Sequence, residues 1–476
     1  KGGGREGSGA RGAIGPGVGP ARGGLKGGLY IRRCGDDRFR MNRIGRMILL
    51  GLALGAAPSH ARAAEGVSPR FLDRAPALGF GHVYSGGWEH FVGGGVAVLD
   101  CDGDLFPDLY VAGGAGPARL LRNATAAPGD AIAYDDVTAE ATALTGVTGA
   151  WPLDFDSDGW ADLAVMRVGE NRLLRGLGAC RFEDAGDASG FAGGNHWSTA
   201  FSATWEPGQV LPTLAVGNYV DRENPDGPFG ACDVNELHRP EADRYGPPAT
   251  LTPGFCALSM LFSDWNREGR ADLRISNDRH YYVQGGYEEL WRLDLEPRLY
   301  GPREGWETVS IWGMGIASRD VSGDGWPDVY LTSMGDQLLQ IRDPAGGRPV
   351  WRTAPFGIGS TAHRPYQGDD GRPSTGWHAE FGDMDNDADD DLFVAKGNVE
   401  QMPENAMADP NNLLLRMPDG TFVETGAEAG LASPHRGRGA ALADLNLDGR
   451  LDVVVVNRRA PMEIHENIST GTGNWL

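Results

Sequence analysis

The chain has 476 residues, of which 73 are Gly and 30 Pro, and its 65 Asp and Glu against 43 Lys and Arg give a formal charge of −22. That length suits two or three ordinary domains or one large closed β-architecture. An acidic surface of this kind repels phosphate backbones and anionic lipid and attracts divalent cations, which argues against nucleic acid as a partner.

Residues 1–40 open with KGGGREGSGARGAIGPGVGPARGG, without periodicity and almost without large apolar side chains, and are expected to lie outside the native protein. A signal-peptide pattern follows over 41–63. Met41 is its start, Arg43 and Arg46 its positive flank, Met47 to Ala57 its apolar run, and Ala61-Arg62-Ala63 a small-x-small cleavage site. A short buried helix is the alternative reading. The run is too short to span a bilayer, and no other segment is longer and as apolar. The expected product is secreted, periplasmic or at the cell surface, with no transmembrane segment after cleavage. Its charge is about −31 once 1–63 are removed.

From residue 68 to 468 the sequence repeats. VAVLDCDGDLFPDLYVAGG, PLDFDSDGWADLAVMRV, MLFSDWNREGRADLRISND, GIASRDVSGDGWPDVYLTSM, AEFGDMDNDADDDLFVAKG and AALADLNLDGRLDVVVVN each join an apolar run, a nine-residue acidic loop and a β-branched or aromatic run. The acidic loops start at Asp100, Asp154, Asp264, Asp320, Asp383 and Asp444. STAFSATWEPGQVLPTLAVGNYV has the same flanks without the acids, and a loop placed at Trp205 gives spacings of 54, 51, 59, 56, 63 and 61 residues. Downstream runs such as ARLLRN, NRLLRG and NNLLLR, then YDDV, RFED and FVET, complete four short strands per repeat. Seven such units predict an all-β, seven-bladed β-propeller. A β-helix or open solenoid is the alternative. The last repeat lacks its fourth strand, and RFLDRAPALGF, just after the leader, is predicted to supply it and close the ring.

Loop positions 1, 3, 5 and 9 carry the oxygen ligands. They are Asp100, Asp102, Asp104 and Asp108; Asp154, Asp156, Asp158 and Asp162; and the variant Asp264, Asn266, Glu268 and Asp272. The later repeats give Asp320, Ser322, Asp324 and Asp328; Asp383, Asp385, Asp387 and Asp391; and Asp444, Asn446, Asp448 and Asp452. Alternate residues of a tight turn point their oxygens at one centre, where carboxylates repel unless a cation joins them. Many oxygen ligands on a flexible loop favour Ca²⁺ over Mg²⁺, and about six ions are expected. These are not EF-hands, because Val111 and Val165 stand where a helix–loop–helix site needs its Glu. Position 6 is Gly159, Gly269, Gly325 and Gly449, but Leu105 and Ala388 in the other two, and Gly103 at position 4 suggests a different turn in the first loop.

Cys101, Cys180, Cys232 and Cys256 allow three pairings in an exported chain. Cys232 and Cys256 bracket a Pro-rich insertion and are favoured as a local staple. Cys101 with Cys180 then follows by elimination, and reduced buried thiols are the alternative.

The D-x-D-x-D-G-x-x-D loops resemble the FG-GAP or VCBS repeats of integrin-α-like propellers. GGWEHFVGGGVAVLDCDGD, CALSMLFSDWNREGRADLRISNDRHYY and the terminal GTGNWL resemble, more narrowly, the cartilage-acidic-protein-like (ASPIC/UnbV) family over residues 68–476. The resemblance implies calcium binding at the carboxylates named above, secretion or surface location, adhesion roles, and the start of a truncated ASPIC/UnbV domain at 469–476. Trp205, Pro207, Gln209 and Thr213 depart from the repeat, so no ion is expected there.

No G-x-S-x-G, H-E-x-x-H or Walker pattern occurs, and no catalytic residue or organic cofactor is assigned. His90, His196, His280, His378 and His435 read first as packing partners of Trp. Glu380 with Asp383 invites a glycosidase reading, but Asp383 already serves a loop. The insertion from Asp221 to Cys256, with Cys232, His238, Arg239 and Tyr245, is a recognition loop or a structural cap. The expected function is a calcium-binding scaffold for binding or adhesion, with an unknown protein or glycan ligand. The alternative is a propeller enzyme acting on extracellular polysaccharide.

Overall fold

The computed structural model describes residues 68–473 except 228–229, 279–284, 369–370 and 401. The segment 1–40, the leader at 41–63, His280 and residues 474–476 therefore lie outside the described residues. What is described is all-β and propeller-like, a succession of small antiparallel sheets.

The first unit pairs Val96–Leu99, Asp108–Val111, Arg119–Asn123 and Tyr134–Asp136 in chain order. Val147–Leu153, Asp162–Gly169, Arg172–Gly176 and Phe182–Asp184 form the second. A third is built from His196–Thr204, Thr213–Asn218, Asn235–His238 and Ala249–Leu251, and is joined to the second through His196↔Gly169 and Trp197↔Val168. The fourth runs Ala257–Ser263, Asp272–Asn277, Glu289–Arg292, Arg298–Leu299, and the fifth Gly313–Arg319, Asp328–Ser333, Leu338–Arg342, Trp351–Thr353. Gly376–Gly382, Asp391–Lys396, Asn412–Arg416 and Phe422–Glu424 make the sixth. Arg436–Ala443, Asp452–Arg458 and Glu463–Asn467 make the seventh, and its outer strand is Phe71–Asp73, in register Phe71↔Asn467. The N-terminal RFLD thus fills the place its sequence predicted.

The second strand of each unit is buried on both faces, which explains its Val, Ile, Leu and aromatic content. Apolar clusters join successive sheets: second to third around Phe201 and Val216, third to fourth around Leu237 and Ile275, fifth to sixth around Tyr330 and Val394, sixth to seventh around Phe393 and Val455. One further cluster joins seventh, first and second through Val454, Tyr110 and Val165. Packed pairs of this kind are worth about 1.5–3 kcal/mol per large side chain buried.

Two local features depart from the sequence reading. Single-turn helices, Gly186–Ser189 and Gly426–Ala429, follow the outer strands of the second and sixth units. The Asp221–Cys256 insertion supplies the two outer strands of the third unit, with a small hairpin (Pro240–Glu241, Arg244–Tyr245) between them. It is chiefly structural: His238 is fully buried and Tyr245 packs against Phe191. Disulfides join Cys101 to Cys180 and Cys232 to Cys256.

Candidate metal centres in the acidic loops

Each acidic loop connects the first and second strands of its unit, and one hydrogen-bond plan recurs. The position-1 carboxylate accepts the backbone N–H groups of positions 5 and 6: Asp154 from Asp158 and Gly159 at 3.0 Å each, Asp383 from Asp387 and Ala388 at 2.9 Å each. The same pattern holds at Asp264, Asp320 and Asp444. Asp100 takes Gly103 and Leu105 instead.

Positions 4 and 6 are left-handed in all six loops. At position 4 stand Gly103, Ser157, Arg267, Gly323, Asn386 and Leu447, and at position 6 Leu105, Gly159, Gly269, Gly325, Ala388 and Gly449. The expectation that the first loop turns differently is therefore corrected. Leu105, at φ 74°, and Ala388, at φ 75°, hold the glycine conformation with a Cβ in place.

Position 9 has a role that spacing did not reveal. Asp108, Asp162, Asp272, Asp328, Asp391 and Asp452 are all buried. Each accepts an N–H from the third strand of its own sheet, or, for Asp272, from Leu293 just after it; examples are Asn123 to Asp108 and Asn467 to Asp452, both at 2.7 Å. The other oxygen takes a loop N–H in five of them, and in Asp272 the Trp265 indole and the Tyr300 hydroxyl. Burial pushes Asp108 up to about 6, Asp162 to about 7, and Asp391 and Asp452 to about 8.

In three of the six loops the carboxylates of positions 1, 3 and 9 come together. In the sets Asp100–Asp102–Asp108, Asp154–Asp156–Asp162 and Asp383–Asp385–Asp391, one oxygen from each residue lies within 4.8 Å of the others. At position 3, Asp102 Oδ1, Asp385 Oδ1 and Asn446 Oδ1 are buried with no hydrogen-bond donor. An acceptor in that state costs about 1–3 kcal/mol, more when charged, and a hard cation relieves it. Asp385 is pushed up to about 6, by burial first and then by Asp387 and Asp383. All donors are oxygen, so the residues fit Ca²⁺.

Arginine competes for some of these oxygens, which was not anticipated. Arg175 reaches Asp156 and Asp158 at 2.6 Å each, and Arg450 pairs with Asp448. The recurring Arg in RLLRN and RLLRG was the available signal, since it stands one residue before the N–H donor to position 9.

The loop of the third unit closes without an acidic cluster. Thr213 replaces the buried Asp and donates to Glu206 at 2.7 Å, and Gln209 donates to Thr213 at 2.9 Å. Glu206 is neutralised by Arg239 at 2.7 Å. Trp205 and Pro207 offer no side-chain oxygen, so this site lacks the ligand set.

Elsewhere, the inner strands line a cavity of about 450 Å³ that includes Trp151, Ser318, His378 and Glu380. His378 Nε2 is 3.3 Å from Glu380, and Glu380 also accepts the Leu442 N–H. His196 bonds Asp233 at 2.8 Å, His90 is buried beside Tyr84, and His435 lines a separate cavity by the N-terminal strand.

An all-β chain built of repeated antiparallel sheets, with acidic loops between paired strands, is propeller-like by class. The comparisons narrow this. Residues 383–455, holding the sixth and seventh loops, match the FG-GAP-like repeat family. Human cartilage acidic protein 1 is 47% identical over 62 residues, which is 13% of this chain and 9% of that protein, and the mouse protein 46% over 61 residues. The matched stretch is thus under a tenth of those relatives' length. The FG-GAP and cartilage-acidic-protein resemblance read from the loops is borne out. Among solved structures, BBS1N in complex with ARL6DN aligns at 11% identity and TM-score 0.46, covering 86% of this chain and 100% of that one.

Proposed function

We propose that the protein is an exported, calcium-binding scaffold whose seven four-strand units are the blades of a closed β-propeller, with one Ca²⁺ in each of six acidic loops. The observation that carries this reading is the buried, donor-less oxygen of Asp102 and of Asp385 at position 3 of two separate loops, each within a three-carboxylate cluster. The chain's own residues set the rest. The position-9 Asp locks the loop to the third strand, the position-1 Asp orders the turn, and together with position 3 they bring to one point the oxygens that would hold the ion in the first, second and sixth loops. Bound Ca²⁺ supplies charge neutralisation rather than chemistry, and its binding energy adds to folding.

Ligand binding at the rims, to a protein or glycan outside the cell, is the role this rigid ring serves. Among the described residues no helix is long and apolar enough to cross a membrane. Metal analysis of the gel-filtered chain is expected to return roughly six Ca²⁺, with a large fall in Tm on chelation. A chain that retains at most about two ions and melts identically with and without chelator overturns the proposal.

A further inference from the structure

The acidic loops are not wired alike. The residue that gives its backbone N–H to the position-9 Asp is Asn123 in the first unit and Asn467 in the seventh. In the other acidic units it is Gly176, Leu293, Arg342 or Arg416. Both asparagines also turn their side-chain amide onto the loop of the preceding unit. Asn467 Nδ2 donates to the Met384 carbonyl at 3.1 Å, and Asn123 Nδ2 to the Leu445 carbonyl at 2.8 Å.

Met384 and Leu445 stand at position 2 of their loops, and that position is tied to the buried Asp. The Met384 N–H donates to Asp391 at 2.9 Å and the Leu445 N–H to Asp452 at 2.8 Å. An unbroken relay therefore runs from Asp391 of the sixth loop through Asn467 to Asp452 of the seventh, and through Asn123 to Asp108 of the first. Further bonds run beside it: Asn386 Nδ2 to the Gly449 carbonyl at 2.9 Å, and the Gly129 N–H to the Asn446 carbonyl at 2.8 Å. Asn467 is also the register partner of Phe71, so the relay crosses the unit that pairs the N-terminal strand with the last repeat.

The relay ends on both sides. Gly176 has no side chain to extend it, and a Cβ there would stand 2.3 Å from the Ala161 carbonyl. The position-2 carbonyl of the first loop takes the Cys180 N–H instead, at 2.9 Å. Cys180 lies four residues beyond Gly176, so this bond and the disulfide hold the first loop without engaging Asp162. On the other side Arg416 turns to Asp389 of its own loop, and the fifth loop meets the sixth through the exposed Arg319–Asp390 pair, a weak tie. A second observation picks out the same three loops. The buried position-3 oxygens without a donor belong to Asp385, Asn446 and Asp102, in the sixth, seventh and first.

We propose that Asn467 and Asn123 are positioning residues that couple these three loops, so that they take up and release Ca²⁺ as one block while the others act singly. The inference rests on the calcium reading of the loops. An ion in one loop orders its position-2 and position-9 groups, and with them the Asn that the neighbouring loop also holds. The next ion then meets a partner already ordered and binds more tightly.

Hydrogen exchange of the full chain, read by mass spectrometry at stepped free calcium, follows each loop separately. The sixth, seventh and first loops are expected to gain protection at one shared midpoint, and the second and fourth at midpoints of their own. Asp385→Asn takes one ligand from the sixth loop alone. It is expected to raise the midpoint of the seventh and first loops about fivefold or more, leaving the second and fourth in place. Asn386→Gly with Asn467→Ala removes both side-chain ties between the sixth and seventh loops and spares every candidate ligand. In that background Asp385→Asn should move the seventh loop by less than about twofold. If the untied chain does not fold, the comparison of Asp385→Asn with the wild type decides alone. Seventh and first loops unmoved by Asp385→Asn overturn the proposal, as does an equal shift in the second and fourth, which marks a general loss of stability. A shift that survives intact in the untied background does so too, by making Asn467 a packing residue. Calcium that protects none of the loops overturns the calcium reading itself, a result distinct from ions that bind one at a time.

Discussion

Replacing Asp385 by Asn should change stability in opposite directions with and without calcium. Its carboxyl is lifted from an ordinary 3.8 to about 6 by burial and by Asp387 and Asp383. Keeping it ionised in a metal-free loop at pH 8 therefore opposes folding by at most about 3 kcal/mol. Because the loop opens to solvent on one side, screening brings that nearer to about 1–2 kcal/mol. Asp385→Asn removes the charge and keeps the shape, so in excess chelator it should raise stability by that amount. In calcium the sign reverses. A site filled at a hundred times its Kd contributes about 2.7 kcal/mol, and losing one of three converging carboxylates forfeits most of it. Urea unfolding or scanning calorimetry of both proteins, in saturating calcium and in chelator at pH 8, reads the two shifts. A change of the same sign in both buffers refutes the assignment of Asp385 as a ligand.

Leu105→Gly and Ala388→Gly should each stabilise the chain by about 0.5–1 kcal/mol. Relief of a left-handed Cβ, about 1–2 kcal/mol, exceeds the entropy cost of glycine, and the exposed Leu105 side chain gives up little packing; unfolding midpoints in calcium check this, and the double variant should show the sum. Glu424, buried and pushed up to about 7 from 4.5, is protonated in the folded state over a range where the unfolded chain has lost the proton. Relative to Glu424→Gln, the wild type should lose up to about 3 kcal/mol as pH rises from 4.5 to 7 and stay level above, with Lys396 and the Gly426 N–H limiting the loss. Equal pH profiles for the two proteins would mean that Glu424 stays ionised throughout.

Most of the architecture could be read in the sequence because each repeat writes the same short message. Apolar runs of strand length, separated by Asp- and Gly-rich turns, mark paired strands directly, and an unpaired last repeat pointed to RFLDR as its partner. The third unit was harder. Its outer strands, Asn235–His238 and Ala249–Leu251, are hidden in an insertion rich in Pro and charge, where no periodicity separates strand from loop. Burial of His238 and the staple at Cys232–Cys256 hold those strands, and both are tertiary effects. The meeting of the acidic side chains of positions 1, 3 and 9 in three loops was legible from spacing, whereas the backbone duty of position 9 was not. That duty depends on which third-strand N–H lies opposite the loop, a matter of register.

The third unit shows what these loops require. It keeps the strand–loop–strand geometry while Thr213 takes the place of a buried Asp, and its hydroxyl bonds the side chains of Glu206 and Gln209 within the loop. Where a carboxylate does return, at Glu206, a guanidinium stands against it. In the second unit Arg175 plays a similar part for two of four acids. On the proposed function the common rule is local charge neutrality at the join of the first two strands, supplied by protein cations where one reaches and left to a bound ion elsewhere. On that rule the first and sixth loops, with four Asp each, should be the most dependent on calcium. The second, already half neutralised by Arg175, should release its ion first as calcium is withdrawn.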